Sequence, residues 1–66
     1  MSYAPHQQRV VDEKAELDER RTKLFKFIQN SPIFKTLSES DRSLLVEQWE
    51  VMSHYSTILS ARIERF

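Results

Sequence analysis

Five polar side chains fall inside rows of apolar residues, where chemistry rather than contact with solvent would explain them. Lys14 and Arg21 are two cations seven residues apart, and Gln48, Tyr55 and Arg62 are also spaced by sevens. A guanidinium can donate two parallel hydrogen bonds to a phosphate, and a phenol ring can stack on a base. These residue types therefore suit an anionic, planar ligand such as a nucleotide. We predict that the five form a ligand-binding set. In this set Lys14, Arg21 and Arg62 would bind phosphate.

The same side chains also have a structural explanation. An isolated charge in a dry core is costly, so a cation on an apolar face needs a partner or a route to solvent. Lys14 and Arg21 can pair with Glu13, with Asp18 or with an acid of a neighbouring chain, and Tyr55 can bond a nearby side chain. The sequence leaves both explanations open.

The sequence contains no arrangement of residues that would support catalysis or metal binding. His6 and His54 are far apart, and Glu50 with His54 is a common solvent-facing pair four residues apart. Ser53 and His54 are adjacent, and adjacent residues on a helix point about 100° apart. A carboxylate-bridged metal bundle would need a Glu-x-x-His motif with further inward glutamates. We therefore expect a protein that is not an enzyme and has no metal or cofactor.

Two long helices must position these residues. Pro5 follows the N-terminal segment, and Pro32 follows the break at Asn30 and Ser31. Each proline stands where a helix can begin. The pattern predicts an N-terminal arm over 1–5, a first helix over 6–30, a short helical turn over 32–37 and a second helix over 39–65. The expected fold is all-α, a single domain built as a long antiparallel helical hairpin with a short elbow helix.

Composition removes several other classes of protein. The 66 residues contain no glycine and no cysteine, and ten basic residues balance ten acidic ones. Glycine-rich phosphate loops, disulfides and thiolate metal sites are therefore absent. Zero net charge gives no field to attract DNA, RNA or an anionic membrane. The sequence also lacks an apolar run of about 20 residues and a signal peptide, so we expect a cytoplasmic protein.

Thin hairpins bury little, which favours self-association. The second helix carries two apolar rows: Leu44, Val51 and Ile58, and beside them Leu45, Met52, Leu59 and Phe66. Val46 and Trp49 lie outside that arc, which predicts a second buried surface and a homo-oligomeric helical bundle. Alternatively, Trp49 packs under the elbow at Ile33 and Phe34. Tyr3 is either a disordered end or an arm that packs on a neighbouring chain.

The chain resembles short phage-encoded α-helical accessory proteins related to a protein of crAss-like phages. The resemblance runs from Gln7 to Ile63. In the first helix it rests on Gln8, Arg9, Val10, Glu13, Lys14, Glu16, Leu17, Asp18, Lys23, Leu24, Phe27 and Ile28. Beyond that helix it rests on Phe34, Leu37, Leu44, Leu45, Gln48, Met52, Tyr55, Leu59, Arg62 and Ile63. It brings no catalytic residues, and it implies a small accessory protein of the kind that often inhibits host defence.

These observations favour a non-enzymatic antagonist of host antiviral defence. It would sequester a cyclic or ADP-ribose-type nucleotide in an oligomer, with Tyr55 or Trp49 stacked on the base. One alternative is an inhibitor or adaptor that binds a host defence protein or a phage protein. Its contact would be the Val46 and Trp49 strip or an acidic row, which consists of Asp12, Glu16 and Glu19. A structural assembly component is the other alternative.

Overall fold

The computed structural model describes residues 2–66, which form three helices. They are α1 (Pro5–Asn30), α2 (Pro32–Thr36) and α3 (Glu39–Glu64). The two long helices pack against each other, and α2 forms the elbow between them. The predicted all-α helical hairpin with a short elbow helix is confirmed. Met1, the first residue of the predicted arm, lies outside the described residues.

The sequence supplies a serine cap for α2 and for α3, whereas α1 begins without a side-chain cap. Pro5 and Pro32 stand in the first turns of α1 and α2, where a missing backbone N–H costs nothing. The Ser31 hydroxyl accepts the Ile33 amide at 3.2 Å, and the Ser38 hydroxyl accepts the amide of the third residue of α3 at 3.1 Å. None of the described residues has a positive φ angle, so the chain turns twice without glycine.

The two long helices run antiparallel in a constant register. Asp18 lies against Ser56, and three residues further along α1 Arg21 reaches Ser53. The next step of four residues along α1 brings Phe25 to Trp49. Every advance toward the C-terminus of α1 is thus matched by an equal step toward the N-terminus of α3.

The hydrophobic core is thin. Its buried members are Val10, Leu17 and Leu59, with exposed fractions of 7%, 9% and 0%, and Met52 and Ile63 pack beside them. The molecule measures 48 × 15 × 14 Å, and its radius of gyration is 15.0 Å. A compact domain of this length has a radius of gyration of about 11 Å. The hairpin is therefore a rod with a single line of buried side chains.

Aromatic contacts fix the elbow and the open end of the hairpin. Phe27 meets Phe34 edge to face, with ring centres 6.1 Å apart, and this contact holds α2 against the end of α1. At the other end Tyr3 meets Phe66, with ring centres 5.9 Å apart. Within the described residues, no helix is both long and apolar enough to cross a membrane.

Truncating the centre of this core tests the fold. Leu59→Ala should lower the free energy of unfolding by about 2–5 kcal/mol, because the side chain is fully buried and its neighbours cannot fill the cavity. Urea unfolding followed by circular dichroism measures the change. Ile33→Ala removes an aliphatic side chain that is 61% exposed, and it should change stability by less than about 0.5 kcal/mol. Equal effects of the two substitutions would contradict the assigned core.

Candidate ligand-binding site

A polar network around Asp18 joins α1 to α3. One carboxylate oxygen, Oδ2, accepts a hydrogen bond from Lys14 Nζ at 2.6 Å, and this contact is also an ion pair. The other oxygen, Oδ1, accepts the Ser56 hydroxyl at 2.5 Å. Both oxygens of the carboxylate are therefore bonded, one within α1 and one across to α3. Ser56 is itself buried, with 6% of its surface exposed.

Arg21 extends this network toward the elbow. Its Nη2 atom lies 3.6 Å from Asp18 Oδ1, which is an ion-pair distance but too long for a good hydrogen bond. Its Nη1 atom donates to Ser53 Oγ at 3.4 Å, again a long contact. The Ser53 hydroxyl donates in turn to the Trp49 carbonyl at 2.9 Å, which leaves its lone pairs free to accept from Arg21.

The Nε atom of Arg21 is buried and has no hydrogen-bond partner among residues 2–66. A buried N–H group without an acceptor costs about 1–3 kcal/mol, so this guanidinium keeps unused donor capacity. About a third of the side chain, 34%, remains exposed. Arg21 thus has a held position, and the exposed third of its side chain, rather than the buried Nε, is the part that faces solvent.

The network lowers the pKa of Asp18 below its ordinary value of 3.8. The largest cause is the hydrogen bond from Lys14, and the hydrogen bond from Ser56 is the next. Partial burial acts in the opposite direction, and the positive charges of Lys14 and Arg21 add to the lowering. Asp18 is therefore ionised at neutral pH and holds both cations near the hairpin seam.

An aromatic pair borders Arg21. The rings of Phe25 and Trp49 lie 5.4 Å apart at an angle of 38°. Together with Arg21 and Thr22 they line a groove of about 210 Å³ between α1 and α3. A guanidinium beside two aromatic rings is chemically suited to a phosphate attached to a flat, apolar group.

The structure brings together two of the five residues predicted to bind a ligand. Lys14 and Arg21 share Asp18 as a partner. Gln48, Tyr55 and Arg62 are exposed on another side of α3. The Gln48 amide lies 4.0 Å from the sulfur of Met52, and Tyr55 is 40% exposed. The ligand-binding role of all five stays a prediction, and of the five only Lys14 and Arg21 belong to the Asp18 network.

The residues predicted to form an interface also lie apart. Trp49 is half-buried against Phe25 of its own hairpin and Tyr3 packs on Phe66, while Val46 is 37% exposed. Val46 helps to line a second groove, of about 500 Å³, at the elbow. Whether any of the three contacts a second chain stays a prediction.

Two residues of the Asp18 network, both on α3, were absent from the predicted set. Ser53 and Ser56 lie three residues apart on the face of α3 that also carries Trp49, Met52 and Leu59. The signal in the sequence was a repeat of small polar residues on the face of α3 that packs against α1. A cation on α1, such as Arg21, needs hydrogen-bond acceptors on the facing helix. No group of three or more potential metal-ligating side chains occurs in the part of the chain that the structure describes.

Acid sensitivity tests the Asp18 network. The folded-state pKa lies below 3.8, so ionised Asp18 stabilises the fold above that pH, and this contribution is lost as the pH falls through the folded-state pKa. Asp18→Asn should therefore lower the urea midpoint at about pH 7 and reduce the further loss between about pH 7 and pH 2.5.

Asp12→Asn is the matched control, because it makes the same change on an exposed part of α1. It should keep the acid-dependent loss of the unaltered protein. If Asp18→Asn loses as much stability in acid as the unaltered protein does, the proposed ion network does not contribute.

Comparison with known proteins identifies a family for this chain. No curated protein and no solved structure matches the chain. The model of the Sequestin family matches residues 4–65, which include all three helices and the whole Asp18 network. The chain therefore belongs to the Sequestin family.

Proposed function

We propose that the protein is a non-enzymatic sequestering protein that captures a small anionic, nucleotide-type molecule. The name of the family, Sequestin, indicates sequestration and so binding rather than catalysis. The proposal places the ligand in the groove beside Arg21, with phosphate on the cation and the base against the aromatic pair. The chain acts as a homo-oligomer, which gives one groove for each copy.

The observation that carries this proposal is the state of the Arg21 guanidinium. Its position is set by Asp18 on its own helix and Ser53 on the facing helix. Nevertheless the contacts of its two terminal nitrogens are long, and the exposed third of the side chain borders the groove. An anionic oxygen would supply short, charge-assisted hydrogen bonds that these contacts do not provide. A cation that served only as a structural tie would be expected to have these donors satisfied.

The neighbouring groups match the rest of such a ligand. Trp49 is half-buried against Phe25, so its indole is fixed in place while part of its surface still faces the groove. Stacking of a base on an aromatic ring is worth about 1–3 kcal/mol. Lys14 lies one helical turn beyond Asp18 and adds positive charge at the same edge of α1. Tyr55 and Arg62 have no place in this version of the site.

A role in antagonism of host antiviral defence completes the proposal. The resemblance to short phage-encoded accessory proteins supports it, and so does the absence of any catalytic constellation in the sequence. Sequestration needs only enough copies of a small, stable protein to bind the signal one for one. We place the protein in the cytoplasm of the infected cell, with a cyclic or ADP-ribose-type nucleotide of immune signalling as its ligand.

Calorimetry with ADP-ribose and a panel of cyclic nucleotides tests the ligand site. The unaltered protein should bind at least one of them, and Arg21→Gln should weaken that binding at least about tenfold, because a charge-assisted contact is lost. Arg20→Gln removes the same charge from an exposed neighbour and should bind like the unaltered protein. Absence of binding by the folded protein across the panel would contradict the proposal, as would equal weakening by both substitutions.

A protein-binding role is the second candidate, and the elbow groove favours it. This groove of about 500 Å³ lies on α3 and the elbow, with an apolar base formed by Phe34 and Val46. Three glutamates and one arginine also line it: Glu39, Glu47, Glu50 and Arg42. Because the acids outnumber the cation, an apolar side chain flanked by lysine or arginine would be a suitable occupant.

Capture experiments with a bacterial lysate test this second role. Val46→Glu adds another carboxylate at the base of the groove and should abolish retention of the partner, because the apolar side chain would then have to be buried against a charge. His54→Gln lies on an exposed part of the same helix and should retain it. Identical proteins captured by both variants would rule out the elbow groove as the contact.

A further inference from the structure

One side of α3 presents an apolar surface that its own hairpin does not cover. Leu44 and Val51 are 62% and 63% exposed, and Ile58 and Tyr55 are 46% and 40% exposed. Each of the three aliphatic residues directly precedes a residue that faces α1 or its core: Leu45, Met52 and Leu59. Successive helical residues are 100° apart, so the two rows lie about 100° apart around α3.

The uncovered row has the spacing of a helix-packing seam. With Gln48 and Arg62 it alternates steps of three and four residues without interruption from Leu44 to Arg62. We name this row the α3 stripe: Leu44, Gln48, Val51, Tyr55, Ile58 and Arg62. Alternating steps of three and four place side chains where a second helix can interlock with them. The other seam of α3, which carries Leu45, Met52 and Leu59, is already occupied by α1.

The exposed area of the chain agrees with one missing contact. The hairpin exposes 5283 Å² of surface, whereas a compact monomer of 7.9 kDa exposes about 4,400 Å². The excess is roughly 900 Å², and a stable protein interface covers about 800 Å² on each partner. A single additional contact along one side of the rod would remove this excess.

Charge at the two ends of the stripe selects the orientation of that contact. One step before Leu44 the same spacing reaches Asp41, and one step after Arg62 it reaches Arg65. Both end residues are exposed. A parallel pair of α3 helices would place Asp41 against its own copy and Arg65 against its own copy. An antiparallel pair places each Asp41 opposite an Arg65, and it also opposes the two helix dipoles.

We propose that the α3 stripe is a symmetric, antiparallel interface between two copies of this chain. In the register that engages the whole stripe, Val51 of each copy lies opposite Tyr55 of the other. Leu44 then lies opposite Arg62, whose aliphatic part covers it, and Asp41 opposite Arg65. The product is a bundle of four long helices with α3 at its centre and α1 on the outside.

This interface rests on the homo-oligomer of the proposed function and gives it a definite contact, yet it can fail without ligand capture failing. Trp49 and Val51 are two residues apart and therefore lie about 160° apart around α3. The groove beside Arg21 and Trp49 thus opens away from the stripe, and each half of the dimer keeps its groove accessible.

A charge reversal at the stripe ends tests the interface. At about 100 μM the unaltered protein should sediment as a species of twice 7.9 kDa. Asp41→Arg or Arg65→Asp alone creates two like-charge contacts in each dimer and should weaken dimerisation about tenfold. The double variant restores opposite charges and should recover most of the affinity.

Glu39→Arg is the control, because it makes the same charge change in the first turn of α3 but off the stripe. It should leave dimerisation unchanged. A monomer at this concentration overturns the interface, whichever other partner the stripe binds. The absence of recovery in the double variant also overturns it, and so does equal weakening by the control.

Disulfide cross-linking tests the orientation separately, since the chain has no cysteine of its own. In the antiparallel pair, the double variant Leu44→Cys with Arg62→Cys should form disulfide-linked dimers under mild oxidation, because these positions face each other. Leu44→Cys alone should remain largely unlinked, since the two copies of residue 44 lie about 27 Å apart along the axis. Efficient linking by the single variant would show a parallel pair and overturn the proposal.

Discussion

An ionic contact at the centre of a narrow hairpin organises much of this structure. A carboxylate that bonds a lysine on its own helix and a serine on the facing helix, as Asp18 does, ties the two rods together at one level. The same contact explains why Lys14 and Arg21 can lie near the seam without an unpaired charge. It also fixes Arg21 at the edge of a groove, where about a third of its side chain is exposed. The stability of the hairpin and the proposed binding therefore depend on one group of residues.

The second constraint is geometric, because two helices side by side share only one line of contact. Leu59 is completely buried on that line, while Leu44 and Val51 on the same helix are more than half exposed. A helix with two apolar seams can bury only one of them within a hairpin of two helices. The polar network selects the seam used inside the chain, since Ser56 must face Asp18. The remaining seam is therefore available to a second copy.

Helix existence and order follow from the sequence, because prolines, serine caps and the apolar period are local signals. The face of α3 that meets α1 does not follow from it. Leucine, valine and isoleucine cover both seams almost equally, so apolarity alone gave a face centred near Tyr55 rather than near Ser56. The decisive contacts join residues that are distant in sequence, such as Asp18 with Ser56 and Arg21 with Ser53. For the same reason the cations of α1 were identified, but their neighbours on α3 were not.

The proposed sequestering role depends on the cations being held by an ionised carboxylate rather than extending freely into solvent. The most direct test is an NMR titration of the Asp18 side-chain carboxyl carbon in the folded protein. The account predicts a pKa below the ordinary value of 3.8, with Lys14 and Ser56 as the causes. A pKa at or above 3.8 would show that Asp18 does not hold its partners, and it would contradict the central interaction described above.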